Sequence, residues 1–126
     1  MKNFKNKIAV VTGGGTGMGR ELVRQLAAEG CHVAMCDVIQ ENMEETFEIV
    51  SKECPNIRVT KHICDVSDEE QVLLFKDEVI DQHDTSVINL LFNNAGIGGG
   101  GSFVEGSREE WERCFAVCWY GVYYCS

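Results

Sequence analysis

Residues 12–19, with the sequence TGGGTGMG, contain five glycines and could bring the backbone close to an anionic ligand. Four apolar residues, 8–11, precede this segment and predict a short buried strand. Residues 21–29 follow it and carry apolar side chains at helical spacing. The N–H groups and the positive dipole end of a helix N-terminus bind phosphate oxygens. Strand, turn and helix in this order therefore predict a pyrophosphate site at the start of a βαβ unit.

Two other glycine-rich phosphate motifs do not fit this segment. A P-loop requires Lys and then Ser or Thr after its last glycine, whereas Arg20 and Glu21 follow Gly19. The pattern G-x-G-x-x-G also fails in every register. A nucleoside triphosphate site is therefore not expected, and a plain tight turn stays open as the alternative interpretation of these glycines.

An acidic residue, Asp37, ends the second predicted strand, residues 32–37, twenty positions after Gly17. A dinucleotide-binding fold places at this distance the carboxylate that accepts hydrogen bonds from the adenosine ribose hydroxyls. A carboxylate there would repel a 2′-phosphate, and neither Lys nor Arg adjoins Asp37 or lies in the glycine turn before Arg20. NAD is therefore favoured over NADP as the cofactor. The alternative is that Asp37 only caps the next helix.

Residues 93–96, Asn-Asn-Ala-Gly, follow a fourth predicted buried strand at residues 87–92. Two side-chain amides at the carboxyl end of a strand can tie down the neighbouring strand and a loop near a bound cofactor. A plain Asn-Asn turn is the alternative. Four glycines come next at residues 98–101, and this loop is interpreted as a mobile lip of a substrate pocket or as a passive connector.

The remaining segments predict the elements that must position these residues. A helix with one apolar face is expected at residues 41–52, and a third strand at residues 57–63. Capping-box sequences at residues 67–70 and 107–110 predict two further helix N-termini. The alternation of strands and helices predicts an α/β fold with a parallel sheet that helices cover on both faces. A dinucleotide-binding fold gives these four strands the order 3-2-1-4. Its ligand is expected in the crevice between strands 1 and 4.

Composition and charge are ordinary for one soluble globular domain that spans residues 1–126. Apolar residues make up 44% of the chain and charged residues 25%. The formal net charge of −9 argues against nucleic acid or an anionic membrane surface as a partner. No apolar run approaches the roughly 18 residues of a membrane span, and the run near the N-terminus is too short for a signal peptide. A cytoplasmic location is therefore expected.

Seven cysteines predict core packing in a reducing compartment, because their number is odd and no C-x-x-C occurs. The three histidines, His32, His62 and His83, show no metal-ligand spacing. No metal site is therefore expected.

The glycine segment at residues 12–19 resembles the T-G-x-x-x-G-x-G motif of the short-chain dehydrogenase/reductase family, and residues 93–96 resemble its N-N-A-G motif. Asp65 and Val66, just past the third strand, resemble the family's adenine contact. The resemblance covers residues 7–126 and implies a Rossmann-type doubly wound parallel sheet, with four strands present and the carboxyl-terminal half absent. It also implies an NAD(P)-dependent oxidoreductase that interconverts a small-molecule alcohol and carbonyl by hydride transfer.

The resemblance assigns cofactor-binding roles to particular residues. Asp37 would bind the adenosine ribose, and Asp65 with the Val66 backbone would bind the adenine. The residues of the glycine turn that would hold the pyrophosphate and the nearby ribose are Gly13, Thr16, Gly17, Met18 and Gly19. The residues that would hold the nicotinamide side are Asn93, Ala95 and Gly96.

Two departures from the family pattern bear on catalysis. The family's proton-transfer pair, Tyr-x-x-x-Lys, does not occur, because Lys76 is the last lysine and no tyrosine has a lysine four positions later. Cys118 occupies a position at which the family usually has an asparagine that supports a water relay, and cysteine is a poor hydrogen-bonding group. No catalytic residue is therefore assigned, and the chain is expected to be inactive alone.

Two interpretations of function follow. In the first, the chain is the amino-terminal, cofactor-binding part of a complete oxidoreductase, which the resemblance implies to be a homo-oligomer. In the second, the chain is a stand-alone, non-catalytic NAD-binding module. A Ser followed by Tyr-x-x-x-Lys in the coding sequence beyond Ser126 would decide for the first. The substrate is left open, because the residues that shape its pocket lie largely in the absent half.

Overall fold

The computed structural model describes residues 3–98, 102 and 104–126, so most of the predicted glycine loop, residues 99–101, lies outside the described residues. Within them, the strands are β1 (Ile8–Thr12), β2 (His32–Asp37), β3 (Val59–Ile63) and β4 (Leu90–Phe92). The helices are α1 (Gly17–Ala28), α2 (Gln40–Glu53), α3 (Glu69–His83), α4 (Arg108–Phe115) and α5 (Gly121–Cys125), with the π-helical segment Ala116–Tyr120 between the last two.

The strands form one parallel sheet in the order β3-β2-β1-β4, which confirms the predicted order. β1 pairs with β2, where Thr12 lies opposite Cys36. On its other side β1 pairs with β4, where Val11 lies opposite Phe92. The carboxyl ends of β1 and β4 therefore lie side by side. The glycine turn after β1 and the segment 93–96 after β4 consequently meet at one end of the sheet.

Alternate residues of the central strands face opposite sides of the sheet, as its pleating requires. In β1, Ala9 and Val11 belong to the hydrophobic cluster on the side of α1 and α2, whereas Val10 belongs to the cluster on the other side. α3 and α5 contribute to this second cluster through Phe75 and Tyr124. Both faces of the sheet are covered, which explains why β1 has a continuous apolar sequence and not an alternating one.

The prediction of a buried strand at residues 87–92 is wrong in length and in burial. β4 contains only Leu90–Phe92, and Leu91 is 39% exposed because β4 lies at the edge of the sheet. Just before β4, the side-chain Oδ1 of Asn89 accepts the Ile8 N–H at 2.9 Å. A side chain thus replaces the backbone carbonyl at the start of the ladder, and hydrophobic periodicity does not reveal this replacement.

The two predicted capping boxes have different outcomes. At α4, Ser107 accepts the Glu110 N–H and the Glu110 side chain accepts the Ser107 N–H, as predicted. At α3 the cap is Asp68 and not Ser67, because the Ser67 hydroxyl donates to Asp65. The Asp68 carboxylate accepts two N–H groups of the first turn, where it also interacts favourably with the helix dipole.

The apolar helix predicted after residue 107 is interrupted by the π-helical segment Ala116–Tyr120. On the exposed side of this region, Trp119 and Tyr123 are 68% and 70% exposed. On the packed side, a Cβ on Gly121 would lie 2.6 Å from Cγ2 of Val66. The C-terminal helices therefore pack closely on the second cluster and leave large aromatic side chains exposed.

The seven cysteines are all unpaired, and Cys31, Cys36 and Cys64 are buried, which confirms core packing for these three. Among the described residues, no three His, Cys, Asp or Glu side chains lie together as ligands for a metal ion. In the same part of the chain, no helix has the length and apolar character needed to cross a membrane.

His83 is buried at the end of α3, and its Nε2 lies 2.8 Å from the Thr60 hydroxyl of β3. Burial, followed by the charges of Arg58, His62 and His32, lowers the pKa of His83 from its ordinary 6.5 to about 4. The folded chain therefore keeps His83 neutral at pH values at which the unfolded chain protonates it.

Stability is expected to fall as the pH decreases from about 6.5 to about 4, because only the unfolded chain then binds a proton at His83. Between about pH 7 and about pH 5, this residue should contribute a loss of about 2 kcal/mol in the free energy of unfolding. Urea unfolding at the two pH values measures the loss. His83→Gln, whose amide can still bond Thr60, should reduce it. An equal loss in the variant would contradict the prediction.

Candidate functional site

The glycine turn after β1 requires glycine for backbone conformation and for close packing. Gly13 and Gly17 have φ values of +68° and +56°, in the left-handed region that favours glycine. A Cβ on Gly19 would lie 1.9 Å from the Gly13 carbonyl oxygen, so the start of α1 packs directly on the turn. A Cβ on Gly17 would meet no atom of the described residues within 4 Å. The turn therefore has no space for a side chain at Gly19, whereas the space beside Gly17 is free of described atoms.

The first turn of α1 presents hydrogen-bond donors without partners. In the part of the chain that the structure describes, the N–H groups of Gly17, Met18 and Gly19 have no acceptor. The first helical bond runs from the Arg20 N–H to the Thr16 carbonyl oxygen. The Thr16 side chain does not cap the helix, and the first turn carries no acidic residue. These donors, together with the positive end of the helix dipole, suit an anionic group such as a pyrophosphate.

Thr12 and Asn94 join the carboxyl ends of β1 and β4. The buried Thr12 hydroxyl oxygen accepts the N–H groups of Asn94 and Ala95 at 3.1 and 2.9 Å. The Asn94 Nδ2 donates to the carbonyl oxygens of Thr12 and Gly13 at 3.1 and 3.2 Å. The prediction that an amide after the fourth strand ties down the neighbouring strand and the glycine turn is thus confirmed for Asn94.

A crevice at the carboxyl ends of the strands brings together residues that are far apart in the sequence. The predicted cofactor-binding residues that line it are Gly13, Asp37, Asp65, Val66, Ala95 and Gly96. The lining residues that sequence reasoning missed are Val38, Cys64, Ile97, Arg113 and Val117. Of these, Arg113 and Val117 lie one helical turn apart, and this spacing is the signal that could have placed both on one face.

The other predicted residues lie outside the lining of the crevice. Thr16, Gly17 and Met18 are exposed at the start of α1, and Gly19 is buried against Gly13. The predicted residue after β4, Asn93, donates from Nδ2 to the Ser126 hydroxyl at 3.2 Å, and its Oδ1 is buried without a hydrogen-bond partner among the described residues. The structure therefore gives Asn93 a contact with the C-terminal residue, while Asn94 bonds the glycine turn.

Two backbone N–H groups hold the Asp37 carboxylate. Its Oδ2 accepts the Gly15 N–H at 3.0 Å, and its Oδ1 accepts the Ile39 N–H at 3.2 Å. Ile39 is the N-cap residue of α2, and no described side chain caps the helix, so Asp37 contacts the entry to this helix without capping it. A Cβ on Gly15 would lie 2.8 Å from Oδ2, so glycine allows this approach. Each carboxylate oxygen keeps lone-pair capacity for a further donor.

A local turn holds Asp65 in the crevice. Its Oδ1 accepts the Ser67 N–H and hydroxyl at 3.0 and 2.6 Å, and its own N–H donates to the Gln71 side chain at 2.9 Å. The next residue, Val66, is buried and packs against Gly121 of α5. Oδ2 of Asp65 has no hydrogen-bond partner in the described part of the chain. This carboxylate oxygen is therefore available to a ligand.

Cys64 is the cysteine that lines the crevice, and its hydrogen bond with Cys36 lowers the pKa of its thiol. The thiols of Cys36, which is buried, and Cys125, which is partly buried, are not poised as nucleophiles. A hydrogen bond with Cys64 and burial raise the pKa of the Cys36 thiol far above its ordinary value. Burial and the nearby Cys64 raise the pKa of Cys125 to about 11. Both groups are neutral thiols near neutral pH, and the reactive form of cysteine is the thiolate.

Cys118, the residue that departs from the family pattern, lies at the Gly96 end of the site. Its Sγ is 3.7 Å from the Ile97 carbonyl oxygen and 3.7 Å from the position of a Cβ on Gly96. Cys114, one turn earlier, has its Sγ 4.0 Å from the same carbonyl oxygen. The thiol of Cys118 therefore makes a weak contact with the segment that follows β4.

Known proteins resemble this chain in sequence and in fold over nearly its whole length. A family model described as short chain dehydrogenase matches residues 7–126. Meso-2,3-butanediol dehydrogenase of Serratia marcescens is 36% identical over 98% of this chain and 47% of its own length. A short chain dehydrogenase/reductase of Burkholderia phymatum, crystallised in complex with NAD, is 32% identical with a TM-score of 0.90, over 99% of this chain and 43% of its own.

A third similar protein, a metagenomic short-chain oxidoreductase crystallised in complex with NADP, is 26% identical with a TM-score of 0.86. The match covers 97% of this chain and 54% of that one. The chain thus spans about half the length of these relatives. The likeness confirms the Rossmann-type fold predicted from the order of elements. Since the family model extends from before the glycine turn to the last residue, the chain belongs to the short chain dehydrogenase family.

Proposed function

We propose that this chain is the cofactor-binding half of an NAD(P)-dependent oxidoreductase that interconverts an alcohol and a carbonyl by hydride transfer. The observation that carries the proposal is the crevice in which Gly13, Asp37 and Ala95, from three different strand ends, lie next to the open N-terminus of α1. Relatives crystallised with NAD and with NADP support a nicotinamide cofactor. The half-length match supports the assignment of residues 1–126 to an incomplete dinucleotide-binding domain.

The first turn of α1 would hold the pyrophosphate. Its N–H groups at Gly17, Met18 and Gly19 lack acceptors in the described chain, and the space beside Gly17 leaves room for phosphate oxygens. Gly13 and Thr16 would contact the pyrophosphate and the nearby ribose from the turn itself. When bound, a nicotinamide cofactor supplies the carbon that gives or receives the hydride.

The two ends of the crevice would hold the two nucleosides. At one end, Asp37 would accept hydrogen bonds from the adenosine ribose, while Asp65 and the Val66 backbone would contact the adenine. At the other end, the residues proposed to contact or support the nicotinamide side are Asn93, Ala95 and Gly96. Asn93 would support this side through the segment that it belongs to, because it does not line the crevice.

We infer that NAD is preferred over NADP. The Asp37 carboxylate at the crevice would repel a 2′-phosphate. Arg20, the cation that follows the glycine turn, donates to the Gly15 carbonyl oxygen and pairs with Glu45 at 2.9 Å. The cation Arg113 also lines the crevice. The preference is therefore tested by measuring the affinities for NAD and NADP side by side.

Catalysis by the chain alone is not expected. The 126 residues contain no Tyr-x-x-x-Lys pair, and a tyrosine with the ordinary pKa near 10 needs a nearby cation to transfer a proton at neutral pH. The second candidate is a stand-alone, non-catalytic NAD-binding module, which would bind the nucleotide in the same crevice. Turnover with NAD and a panel of alcohols would contradict the expected inactivity. A sequence beyond Ser126 that contains the pair would decide for the oxidoreductase.

The complete protein is proposed to be a cytoplasmic homo-oligomer that acts on a small-molecule substrate. The seven unpaired cysteines support a reducing compartment. The exposed aromatic side chains of Trp119 and Tyr123 support a further protein contact at the C-terminal helices. The relative that acts on meso-2,3-butanediol supports a small alcohol or carbonyl as the substrate class.

Calorimetric titration of the chain with NAD and with NADP tests the proposal. We expect tighter binding of NAD, and we expect Asp37→Asn to weaken NAD binding by about ten-fold or more, since hydrogen bonds to a charged group are worth about 1.5–3 kcal/mol. The variant should bind NADP no more weakly than the unmodified chain, because the repulsive charge is gone.

Asp77→Asn is the matched control, since Asp77 lies on α3 with its side chain 71% exposed. This variant should bind both nucleotides like the unmodified chain. Equal affinity of the unmodified chain for NAD and NADP would overturn the cofactor preference. A folded chain that binds neither nucleotide would overturn the proposed function.

A further inference from the structure

The carbonyl side of the glycine turn is held by a cation from α1. Nη2 and Nε of Arg20 donate to the Gly15 carbonyl oxygen at 2.7 and 3.1 Å. The guanidinium is itself oriented by Glu45 of α2, whose Oε2 accepts from Nη2 at 2.9 Å, and by the Asn42 carbonyl oxygen at 3.3 Å. Arg20 thus connects the turn to α2 through a planar group with several donors.

Thr46 of α2 completes this contact from a fully buried position. It is 0% exposed, although a solvated face was the expectation for much of this helix. Its hydroxyl oxygen lies 3.0 Å from the Gly14 carbonyl oxygen and 3.1 Å from that of Gly15, and it accepts from Nε of Arg20 at 3.0 Å. The Asn42 carbonyl oxygen of the same helix is a third acceptor, at 3.1 Å. A hydroxyl has one proton, so it donates to one of these three carbonyl groups at a time.

The planar peptide bond transmits this contact to Asp37. The Gly14 carbonyl, which faces Thr46, and the Gly15 N–H belong to the same peptide unit and point in opposite directions. The Gly15 N–H points to Oδ2 of Asp37 at 3.0 Å. An orientation of the peptide that satisfies Thr46 on one side therefore directs the N–H to the carboxylate on the other.

We propose that Thr46 and Arg20 are positioning residues for cofactor choice. Thr46 contacts the Gly14–Gly15 peptide that anchors Asp37, and Arg20 holds the Thr46 hydroxyl and the next peptide, Gly15–Thr16. The inference rests on the proposed function, in which Asp37 receives the adenosine ribose and excludes a 2′-phosphate. Neither positioning residue lines the crevice. Thr46 acts through the Gly14–Gly15 peptide, and Arg20 acts through the Thr46 hydroxyl and the adjoining Gly15–Thr16 peptide. Loss of the anchor leaves the Asp37 carboxylate held by the Ile39 N–H alone.

The test compares Thr46→Val with Thr46→Ser in the 126-residue chain. Valine has nearly the shape of threonine but removes the hydroxyl, whereas serine keeps it. In Thr46→Val, the amide protection of Gly15 against hydrogen exchange should fall by about five-fold or more, without any nucleotide present. The NAD-to-NADP affinity ratio should fall by about five-fold. Thr46→Ser should retain both values.

Arg20→Lys is the second variant, since the Arg20 side chain is 22% exposed and tolerates a change better than a fully buried residue. Lysine keeps the charge but cannot donate from two fixed nitrogens, so protection of Gly15 and the affinity ratio should fall together. If Thr46→Val does not fold, Arg20→Lys provides the same two measurements.

Hydrogen exchange and nucleotide titration distinguish failure of the positioning roles from failure of the proposed function. Unchanged Gly15 protection in both variants would overturn the positioning roles, whatever the nucleotides do. Reduced protection with an unchanged NAD-to-NADP ratio would show a structural contact without influence on cofactor choice, and would overturn the proposal as well. Failure of the unmodified chain to bind either nucleotide would overturn the proposed function, while loss of Gly15 protection would still report the peptide contact.

Discussion

Replacing Gly19 with alanine should abolish NAD binding and lower the free energy of unfolding by at least about 3 kcal/mol. The new Cβ would lie 1.9 Å from the Gly13 carbonyl oxygen and 2.6 Å from Nδ2 of Asn94. These two atoms are hydrogen-bonded to each other across the ends of β1 and β4, so neither can yield without breaking that bond. Relief of the overlap requires the turn to move away from α1. NAD affinity should then fall by at least about 100-fold.

Urea unfolding and calorimetric titration with NAD measure the two effects separately. Gly98→Ala is the matched control, since a Cβ on Gly98 would meet no atom of the described residues within 4 Å. The control should leave the free energy of unfolding and the NAD affinity nearly unchanged. NAD affinity in Gly19→Ala equal to that of the unmodified chain would show that the nucleotide binds elsewhere.

Replacing Thr12 with valine should lower the free energy of unfolding by about 2–4 kcal/mol and weaken NAD binding by at least about ten-fold. The substitution conserves shape but removes the acceptor that Asn94 and Ala95 share. The Ala95 N–H is then left without an acceptor among the described residues, while the Asn94 N–H keeps only the Phe92 carbonyl oxygen at 2.9 Å. Thr12 is 2% exposed, so the surrounding protein limits the access of water to these donors. The segment that follows β4 would then lose its alignment with the glycine turn.

Thr12→Ser is the control for this experiment. It keeps the hydroxyl and removes one methyl group, for a cost of about 1 kcal/mol. NAD affinity in this variant should stay close to that of the unmodified chain. Chemical denaturation and NAD titration of the two variants provide the comparison, and equal losses for valine and serine would refute a role for the hydroxyl.

The parts of the fold that were predictable are those in which burial dominates. β2 was predicted with its observed bounds, His32–Asp37, because a strand covered on both faces must be apolar throughout. The edge strand β4 was predicted three residues too long, since Asn89 replaces a backbone partner with a side chain. The cap of α3 was misassigned because Ser67 and Asp68 are both good capping residues and only Asp65 distinguishes them.

The candidate site likewise contains residues that the sequence predicts and residues that it does not. Gly13 and Asp37 lie at the crevice, where the spacing expected of a dinucleotide-binding fold places them. Their contacts with a pyrophosphate and a ribose stay a prediction. Thr46 was not predictable, since the glycine-turn carbonyl groups that it contacts lie more than 30 positions earlier in the chain. A threonine inside an acidic helix also carries no periodic signal. Arg20 was noted only as evidence against a P-loop, although it binds the Gly15 carbonyl oxygen.

The two backbone bonds to Asp37 also bear on the thermodynamics of ligand capture. Immobilising a free side chain at a binding interface costs about 0.5–1.5 kcal/mol of conformational entropy. Asp37 is held by Gly15 and Ile39 before any ligand arrives, so this entropic cost is met during folding. Preorganisation of the carboxylate therefore links the stability of the glycine turn to the strength of nucleotide binding, and mutations that loosen the turn should weaken binding even when they leave every ligand-contacting atom in place.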